Sequence, residues 1–250
     1  MKIFVISLKD AAERRRQIEK QLSAIALPFE WLEAVDARQW DDEMSAQFID
    51  QKSLYRNIDH KPMRGSIGCH LSHIKAYEAL LSSDEEACLI LEDDGVIDDE
   101  LAHHMTALKG AMRHIDILFL CDRRVNRASV KIADLAENHG IYVKKFSNLG
   151  TTAYVINRQA ASQLVTHHKA FGIEIDSLLN RWWRHGLSVA TIKPDLVRDE
   201  DAETQIGYRP SPLSRSLLQI ITKKLYDIRD SYLKRRHFNH YCQKMAQRWK

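Results

Sequence analysis

Along this chain of 250 residues, short apolar runs alternate with amphipathic helical stretches, and this alternation constrains the fold more than any other feature. The first apolar run, Lys2 to Leu8, is followed by a helical pattern from Ala11 to Ile25 and then by a second apolar run, Phe29 to Val35. A β-α-β order of this kind is typical of parallel strands covered by helices. The sequence therefore predicts an α/β fold with a mostly parallel central sheet.

The same alternation continues as far as Ile192. Residues 36 to 64 are polar and are predicted to form a long loop with a weak helix around Asp42 to Ile49. Gly140 to Phe146 is a further candidate strand, and Asp199 to Pro212 has the composition of a loop. The other predicted helices are His70 to Ser82, Leu101 to His114, Arg158 to His168 and Ile175 to His185, and the other strands are Ala87 to Leu91, Ile115 to Cys121, Thr151 to Ile156 and Leu187 to Ile192.

The composition excludes several classes of protein. A chain with 44% hydrophobic and 28% charged residues is neither disordered nor collagen-like. No apolar run approaches the roughly 18 to 20 residues that a spanning helix needs. The N-terminus lacks the apolar stretch of about 7 to 15 residues of a signal peptide, so a cytoplasmic protein is expected. Four widely spaced cysteines are consistent with a reducing compartment.

The charges are divided unevenly between a body and a C-terminal tail. Residues 214–250 carry ten basic and two acidic side chains, a net charge of +8, whereas the other residues carry 27 basic and 32 acidic ones. We therefore predict a domain over 1–212 and a basic amphipathic helical tail over 213–250. The tail has an apolar stripe at helical spacing, with a possible break near Arg235-Arg236. Its members are Leu217, Ile221, Leu225, Ile228 and Tyr232.

This stripe and its charges predict an anionic membrane surface as a partner of the tail. The alternative is that the stripe packs on the domain or on a second copy of the chain, which would form a homodimer. The acidic body argues against nucleic acid as a partner.

Three adjacent carboxylates, Glu92, Asp93 and Asp94, follow the apolar strand that ends at Leu91. In open α/β sheets, ligands bind beyond the carboxyl ends of strands. Oxygen ligands suit Mg²⁺ or Mn²⁺, which commonly also contact substrate phosphates. The alternative is a solvated turn or an acidic helix start.

A second group of candidate residues lies between Gly65 and His73. Its two glycines, Gly65 and Gly68, are predicted to allow close backbone approach before a helix begins, where an anion could bind. His70 and His73 are three residues apart and could share a helix face, but no further zinc ligands are evident at suitable spacing.

These segments, taken together, follow a known family pattern. They are Ile3-Phe4-Val5-Ile6-Ser7-Leu8 with Glu13-Arg14-Arg15, then Glu33-Ala34-Val35-Asp36-Ala37, Gly65-Ser66-Ile67-Gly68-Cys69-His70-Leu71-Ser72-His73, Leu89-Ile90-Leu91-Glu92-Asp93-Asp94, and Thr151 to Ala161. In this order they resemble glycosyltransferase family 25, the bacterial lipooligosaccharide galactosyltransferases. Ala37 stands where that family usually has Gly, and Asn157 where it usually has Ser. The resemblance covers about residues 1 to 200.

The resemblance implies a GT-A-like fold that transfers galactose from UDP-galactose, with inversion, to a lipooligosaccharide acceptor. Such an enzyme would work in the cytoplasm, at the inner face of the inner membrane. It implies Mn²⁺ or Mg²⁺ on Asp94, with Glu92 or Asp93 assisting, to neutralise the diphosphate leaving group. The donor-binding candidates are Ser7, Arg14, Arg15, Asp36, Gly68, Ser72, His73, Asp93, Thr151 and Tyr154.

An inverting transferase also needs a base for the acceptor hydroxyl. Asp176, at the start of a predicted helix, is the first candidate, with Glu174 and Asp122 as rivals. The alternative for Asp176 is an ordinary helix cap. Two other functions stay open: a metal-dependent hydrolase or phosphotransferase using the same acidic cluster, and a membrane- or nucleic-acid-binding module using the basic tail.

Overall fold

The computed structural model describes residues 1–122, 128–145, 150–199 and 211–249. The strands are β1 (Lys2–Ser7), β2 (Glu30–Glu33), β3 (Ala87–Glu92), β4 (Gly95–Ile97), β5 (Ile117–Phe119), β6 (Ser129–Ala136), β7 (His139–Lys144), β8 (Ala153–Asn157), β9 (Val189–Lys193) and β10 (Val197–Asp199). The helices are α1 (Ala12–Ala24), α2 (Asp42–Ala46), α3 (Gln51–Asn57), α4 (Arg64–Leu81), α5 (Leu101–Ala111), α6 (Arg158–His168), α7 (Ile175–Leu179), α8 (Trp182–His185) and α9 (Leu217–Gln247).

Within these ranges, eight strands form one sheet in the order β2-β1-β3-β8-β5-β9-β7-β6. β1 lies parallel to β2 and β3, and β5 lies parallel to β9. β8 runs antiparallel to both of its neighbours, and so does β7. Six of the eight strands therefore point the same way, which confirms the predicted α/β class and the mostly parallel sheet.

The core lies between this sheet and the helices that cover it. Every residue of β3 from Ala87 to Leu91 is buried, as expected for a strand covered on both faces. Ile18 and Leu22 of α1 are fully buried, and their spacing gave the helical pattern seen in the sequence. The β-α-β opening is thus the first unit of the sheet.

Helix α4 begins at Arg64, so the prediction of a helix starting at His70 was wrong. Gly65 and Gly68 lie inside the helix and not before it. A Cβ on Gly68 would lie 2.5 Å from the carbonyl oxygen of Val35. Glycine is used here because the helix crosses the chain after β2 at very short range, and not because a loop needs freedom.

The polar segment from 36 to 64 contains two short helices where mainly a loop was predicted. Asp41 accepts a hydrogen bond from the Met44 amide at the start of α2, and Asp50 accepts one from the Ser53 amide at the start of α3. These side-chain caps satisfy amides that the helices leave unpaired, which lets a polar sequence fold locally. The predicted loop from Asp199 to Pro212 lies mostly outside the described residues.

The strand predicted near Gly140 is β7, and its partner β6 was not predicted. The two form a hairpin whose turn holds Asn138 at φ 65°, a left-handed conformation that Asn tolerates better than most residues. None of the eight residues of β6 is buried, so its sequence lacks the apolar signal of the central strands. The pair β4–β10 was missed for a related reason, because each strand has only three residues.

Helix α9 is one continuous helix of 31 residues, without the break predicted near Arg235-Arg236. Its second half packs on the body through buried Phe238, Cys242 and Met245, and the ring of Tyr241 stacks on Trp182 at 4.0 Å. The apolar stripe of its first half, which has the five members named above, remains exposed, from 48% to 74%. The helix therefore has one face in the core and another in solvent.

None of the helices in the described part of the chain is both long enough and apolar enough to cross a membrane.

Candidate functional site

The carboxyl ends of β1, β2 and β3 meet at one edge of the sheet. Ser7 of β1 is in register with Glu33 of β2, and Ile6 of β1 is in register with Glu92 of β3. A cleft with a volume of about 140 Å³ opens there, which we call the strand-end cleft. Eight of the residues predicted to bind donor or metal line it: Ser7, Arg14, Asp36, Ser72, His73, Glu92, Asp93 and Asp94.

Asp93 is held from two elements. The hydroxyl of Ser7, at the end of β1, donates a 2.6 Å hydrogen bond to one carboxylate oxygen. The guanidinium of Arg14, in the first turn of α1, lies 3.4 Å from the other oxygen. Arg14 therefore brings a partly exposed cation to the edge of the strand-end cleft, beside the acidic cluster. Such a cation can pair with an anionic ligand there.

Glu92 is held by a chain of buried hydrogen bonds. Its Oε1 accepts one hydrogen bond from the hydroxyl of Thr151 and another from Nε2 of His73, which lies 3.2 Å away. Nδ1 of His73 lies 2.7 Å from the hydroxyl of Tyr154, and that hydroxyl lies 2.7 Å from the one of Tyr77. Every group is satisfied when Tyr77 donates to Tyr154, Tyr154 to His73 and His73 to Glu92.

This series of hydrogen bonds includes three residues that were predicted to bind the donor. His73 lines the strand-end cleft but is only 1% exposed, and Tyr154 is fully buried, so His73 orients Glu92 and Tyr154 orients His73. Thr151 lies beside the same carboxylate. Burial raises the pKa of Tyr154 far above its ordinary value, which keeps its hydroxyl protonated as a donor.

The opposite wall of the strand-end cleft follows β2. Asp36 accepts hydrogen bonds from the amide and the guanidinium of Arg38, and these bonds lower the pKa of Asp36 to about 2. Arg38 also pairs with Asp10 at 2.7 Å. Sequence reasoning missed Arg38, although a cation two residues beyond Asp36 was a usable signal.

Ser72 lines the cleft but is only 1% exposed, and together with Gly68 it holds this wall in place. The hydroxyl of Ser72 accepts from the Val35 amide at 2.8 Å and donates to the Gly68 carbonyl at 2.7 Å. Arg15, the other predicted phosphate-binding arginine, lies with its guanidinium 4.2 Å from the ring centre of Trp31. Of the two arginines, the structure brings Arg14 alone to the cleft.

The three candidate bases fall in two places. Asp176 and Glu174 lie at the start of α7, which packs on α4, and neither of them lines the strand-end cleft. Asp122 has no exposed side-chain surface and forms a buried ion pair with Lys144. Asp122 therefore does not reach the strand-end cleft.

The pair at the start of α7 differs in its surroundings. Asp176 accepts hydrogen bonds from the amides of Gly150 and Ser177, at 3.2 Å and 2.5 Å. Burial raises the pKa of Glu174, whose side chain is 31% exposed. Amide donors stabilise a carboxylate as an anion, whereas burial favours its protonated form.

The side chains at the cleft include ligands for two classes of metal ion. The carboxylates of Glu92, Asp93 and Asp94 offer the oxygen ligands that Mg²⁺ and Mn²⁺ take. Cys69, His73 and Glu92 also lie close enough to hold one ion. However, both nitrogens of His73 are already engaged, and burial, with Glu92 next, raises the pKa of Cys69. The chemistry of the donors therefore suits a hard ion better than zinc, although at this cleft the described ligand atoms that lie within 4.8 Å of one another are those of Cys69, His73 and Glu92.

The chain is similar in sequence to known proteins of one family. The model of a family described as glycosyltransferase family 25 (LPS biosynthesis protein) matches residues 1–179. A similar protein is lipooligosaccharide biosynthesis protein lic2B of Haemophilus influenzae, 28% identical over 171 residues, which are 66% of this chain and 62% of that protein. Procollagen galactosyltransferase 2 of Homo sapiens is 26% identical over 175 residues, 65% of this chain and 27% of that one.

A glycosyltransferase 25 family member of Anopheles gambiae is 28% identical over 65% of this chain, and the match spans 28% of that protein. The matched region is thus about a quarter of the insect and human relatives. Among solved structures, a glycosyltransferase involved in glycosylation of the major capsid of PBCV-1 aligns with a TM-score of 0.42 and 9% identity, over 91% of this chain and 98% of that one. Because the family model covers more than half of its residues, the chain belongs to glycosyltransferase family 25.

Proposed function

We propose that this protein transfers galactose from UDP-galactose, with inversion, to a lipooligosaccharide acceptor. The observation that carries the proposal is the strand-end cleft, where Glu92, Asp93 and Asp94 meet the cation of Arg14. A nucleoside diphosphate sugar needs such a set, because its leaving group gains negative charge as the sugar bond breaks. The similarity to the lipooligosaccharide biosynthesis protein lic2B supports the acceptor class, and the similarity to the human procollagen galactosyltransferase supports the sugar.

In this proposal Asp94 and Glu92 hold the divalent ion, Mn²⁺ or Mg²⁺. When bound, the ion supplies a positive charge that stabilises the departing diphosphate. The chain's own groups prepare the site. His73 and Thr151 fix the direction of Glu92, and Ser7 and Arg14 fix Asp93. Pre-set charges of this kind need no reorganisation when the reaction occurs.

We propose Glu174 as the base that takes the acceptor proton, with Asp176 as the alternative. A base works best when its pKa approaches the working pH, and burial moves Glu174 in that direction. Asp176, by contrast, is engaged with the amides of Gly150 and Ser177, so it suits the role of positioning the chain before Thr151.

The test is donor turnover by Asp94→Asn. Purified protein is given UDP-galactose, UDP-glucose or UDP-N-acetylglucosamine with a truncated lipooligosaccharide, with and without EDTA, and release of UDP is measured. We expect release with UDP-galactose that EDTA abolishes. Asp94→Asn is expected to lose about 10³-fold or more in rate, since a metal ligand is removed. Asp99→Asn, an exposed neighbour with the same chemical change, serves as the matched control.

Three results would count against this assignment. Undiminished turnover by a folded Asp94→Asn would remove Asp94 from the metal site. Turnover only with another nucleotide sugar would replace galactose as the donor. Release of phosphate or of free sugar without an acceptor product would favour the hydrolase.

We also propose that the first half of α9 lies on an anionic membrane, which would place the enzyme at the inner face of the inner membrane. Leu217, Leu225 and Ile228 are 61% to 74% exposed, on the side of the helix away from the body. By helical spacing, basic residues border this stripe: Lys224, Arg229, Arg235 and Arg236. Basic borders around an apolar stripe match the anionic headgroups and acyl chains of such a surface.

Leu225→Glu tests the membrane proposal more sharply than deleting the tail, which would also remove the buried Phe238 and Met245. The wild type is expected to sediment with vesicles containing phosphatidylglycerol, and Leu225→Glu to stay in the supernatant. Thr222→Glu changes the charge equally but lies off the stripe, so it should sediment like the wild type. If the wild type ignores the vesicles, or if Leu225→Glu instead turns a dimer into a monomer, the membrane proposal fails.

A further inference from the structure

A second group of metal-ligating side chains lies outside the strand-end cleft. It consists of Glu100, just before α5, His104, one turn later on the same helix, and His139, the first residue of β7. One ligand atom from each lies within 4.8 Å of the other two. The two histidines are 9% and 4% exposed, and their ring centres are 4.2 Å apart.

The distances suit a shared ion better than a hydrogen bond. Nε2 of His104 lies 3.6 Å from Oε2 of Glu100, which is too long for a good hydrogen bond. Two ligands of one tetrahedral zinc ion, each at about 2.0 to 2.1 Å from the metal, stand roughly 3.3 Å apart. Among the described residues, the His104 ring makes no hydrogen bond of 3.5 Å or less, so a buried imidazole is available as a ligand.

His139 is oriented as a ligand as well. Its Nδ1 lies 3.4 Å from the carbonyl oxygen of Glu137, in the turn that precedes β7. With the proton on Nδ1, that nitrogen points to the carbonyl and Nε2 presents its lone pair. Histidines that bind metals usually donate their second nitrogen to a carbonyl or a carboxylate in this way.

We propose that Glu100, His104 and His139 form a binding site for Zn²⁺ or a related divalent transition-metal ion. Two imidazoles and one carboxylate form a donor set that such ions take, and a water molecule would complete the tetrahedron. The ion would join α5 to the start of β7, and so fasten the β6–β7 hairpin at the edge of the sheet. None of the three residues lines the strand-end cleft, so this site is separate from the proposed catalytic ion.

The experiment is a Co²⁺ titration of the full-length protein after chelator treatment, because tetrahedral Co²⁺ absorbs visible light. We expect saturable absorption that Zn²⁺ displaces, and slower hydrogen exchange in the segment 129–145 on Zn²⁺ binding. His104→Gln and His139→Gln are each expected to weaken binding more than tenfold. Glu100→Gln should weaken it as well, and because this side chain is 62% exposed its loss leaves the fold intact.

Two further variants locate the ion. His103→Gln, an exposed neighbour on the same helix, should bind Co²⁺ like the wild type. Asp94→Asn should also keep the absorption, because the signal does not come from the strand-end cleft. The proposal is overturned if the wild type binds no Co²⁺ below about 100 μM. It is equally overturned if Glu100→Gln and His139→Gln bind as tightly as the wild type.

Discussion

Replacing Gly68 by alanine tests how α4 and the chain after β2 form one wall of the strand-end cleft. An added Cβ would lie 2.5 Å from the Val35 carbonyl oxygen and 3.4 Å from the Cβ of Ala37. The first distance is shorter than real contacts allow, and the atom it meets is backbone, so no side chain can turn away. The helix or the segment Val35 to Ala37 has to move.

The size of the effect follows from three contributions. Overpacking costs about 1 to 3 kcal/mol. The hydrogen bond from the Val35 amide to Ser72 lies beside the overlap, and its loss costs about 1 kcal/mol. Alanine in a helix returns about 1 kcal/mol. We therefore expect a net loss of about 1 to 3 kcal/mol, or a melting temperature lower by about 2 to 12 °C at this chain length.

The assay is thermal and urea unfolding, followed by donor affinity at a temperature where the variant is folded. Gly110→Ala is the matched control, because it is also in a helix and nothing lies within 4 Å of the added Cβ. We expect the control to be neutral or up to about 1 kcal/mol more stable. UDP-galactose should bind more weakly to Gly68→Ala, since the wall that carries Asp36 is displaced. Equal stability of the two variants would refute the reasoning.

Three further predictions concern single carboxylates and a histidine. Glu174→Gln should lower kcat by about 10²-fold or more and leave the donor Kd unchanged, whereas Asp176→Asn should lower kcat less. If steady-state kinetics give the larger loss of kcat for Asp176→Asn, Asp176 is the base. Burial lowers the pKa of His70 to about 4. Between about pH 6.5 and pH 4 the unfolded chain therefore binds a proton at this histidine that the native protein does not bind, and the free energy of unfolding decreases as the pH drops through this range. At pH 5 this amounts to about 2 kcal/mol, and urea unfolding of His70→Gln should show a smaller difference between pH 7.5 and pH 5. Burial also raises the pKa of Asp195 to about 6, so this group makes stability fall as pH rises from about 4 to 6. Asp195→Asn can still accept from the Asp122 amide, and melting temperatures at pH 4.5 and 7 should show that fall removed.

The sequence by itself was enough for seven of the eight strands of the central sheet and for the acidic cluster. Ala87 to Leu91 is a continuous apolar run because the strand is buried on both faces. Ser7, Asp36 and Glu92 were picked as strand-end residues, and the parallel pairing of β1, β2 and β3 does bring them to one cleft. In a parallel sheet the order of strand, helix and strand already decides which ends meet.

Other parts of the fold gave little signal in the sequence. Strand β6 lies at the edge of the sheet and has no buried residue, and β4 and β10 are only three residues long, so none of these strands carries a long apolar pattern. The glycines of α4 pointed to a loop, because glycine has the same low helix propensity whether it serves a turn or a close crossing. The crossing with Val35 exists only when the chain is folded.

Only the tertiary structure decided which of the candidate residues reach the strand-end cleft and which contact other residues instead. The sequence grouped His73, Thr151 and Tyr154 with the residues that bind the donor, whereas in the structure His73 and Thr151 hydrogen-bond to Glu92, and Tyr154 hydrogen-bonds to His73. The sequence made Arg14 and Arg15 equal candidates for binding phosphate. Successive residues of a helix point about 100° apart, so Arg14 reaches the cleft and Arg15 lies over Trp31. The sequence also showed apolar residues at helical spacing along the whole of α9. In the folded protein Phe238 is buried, whereas Leu225 is exposed to solvent. Composition and spacing specify which residues are apolar or charged, whereas contacts between distant segments determine what each of them meets.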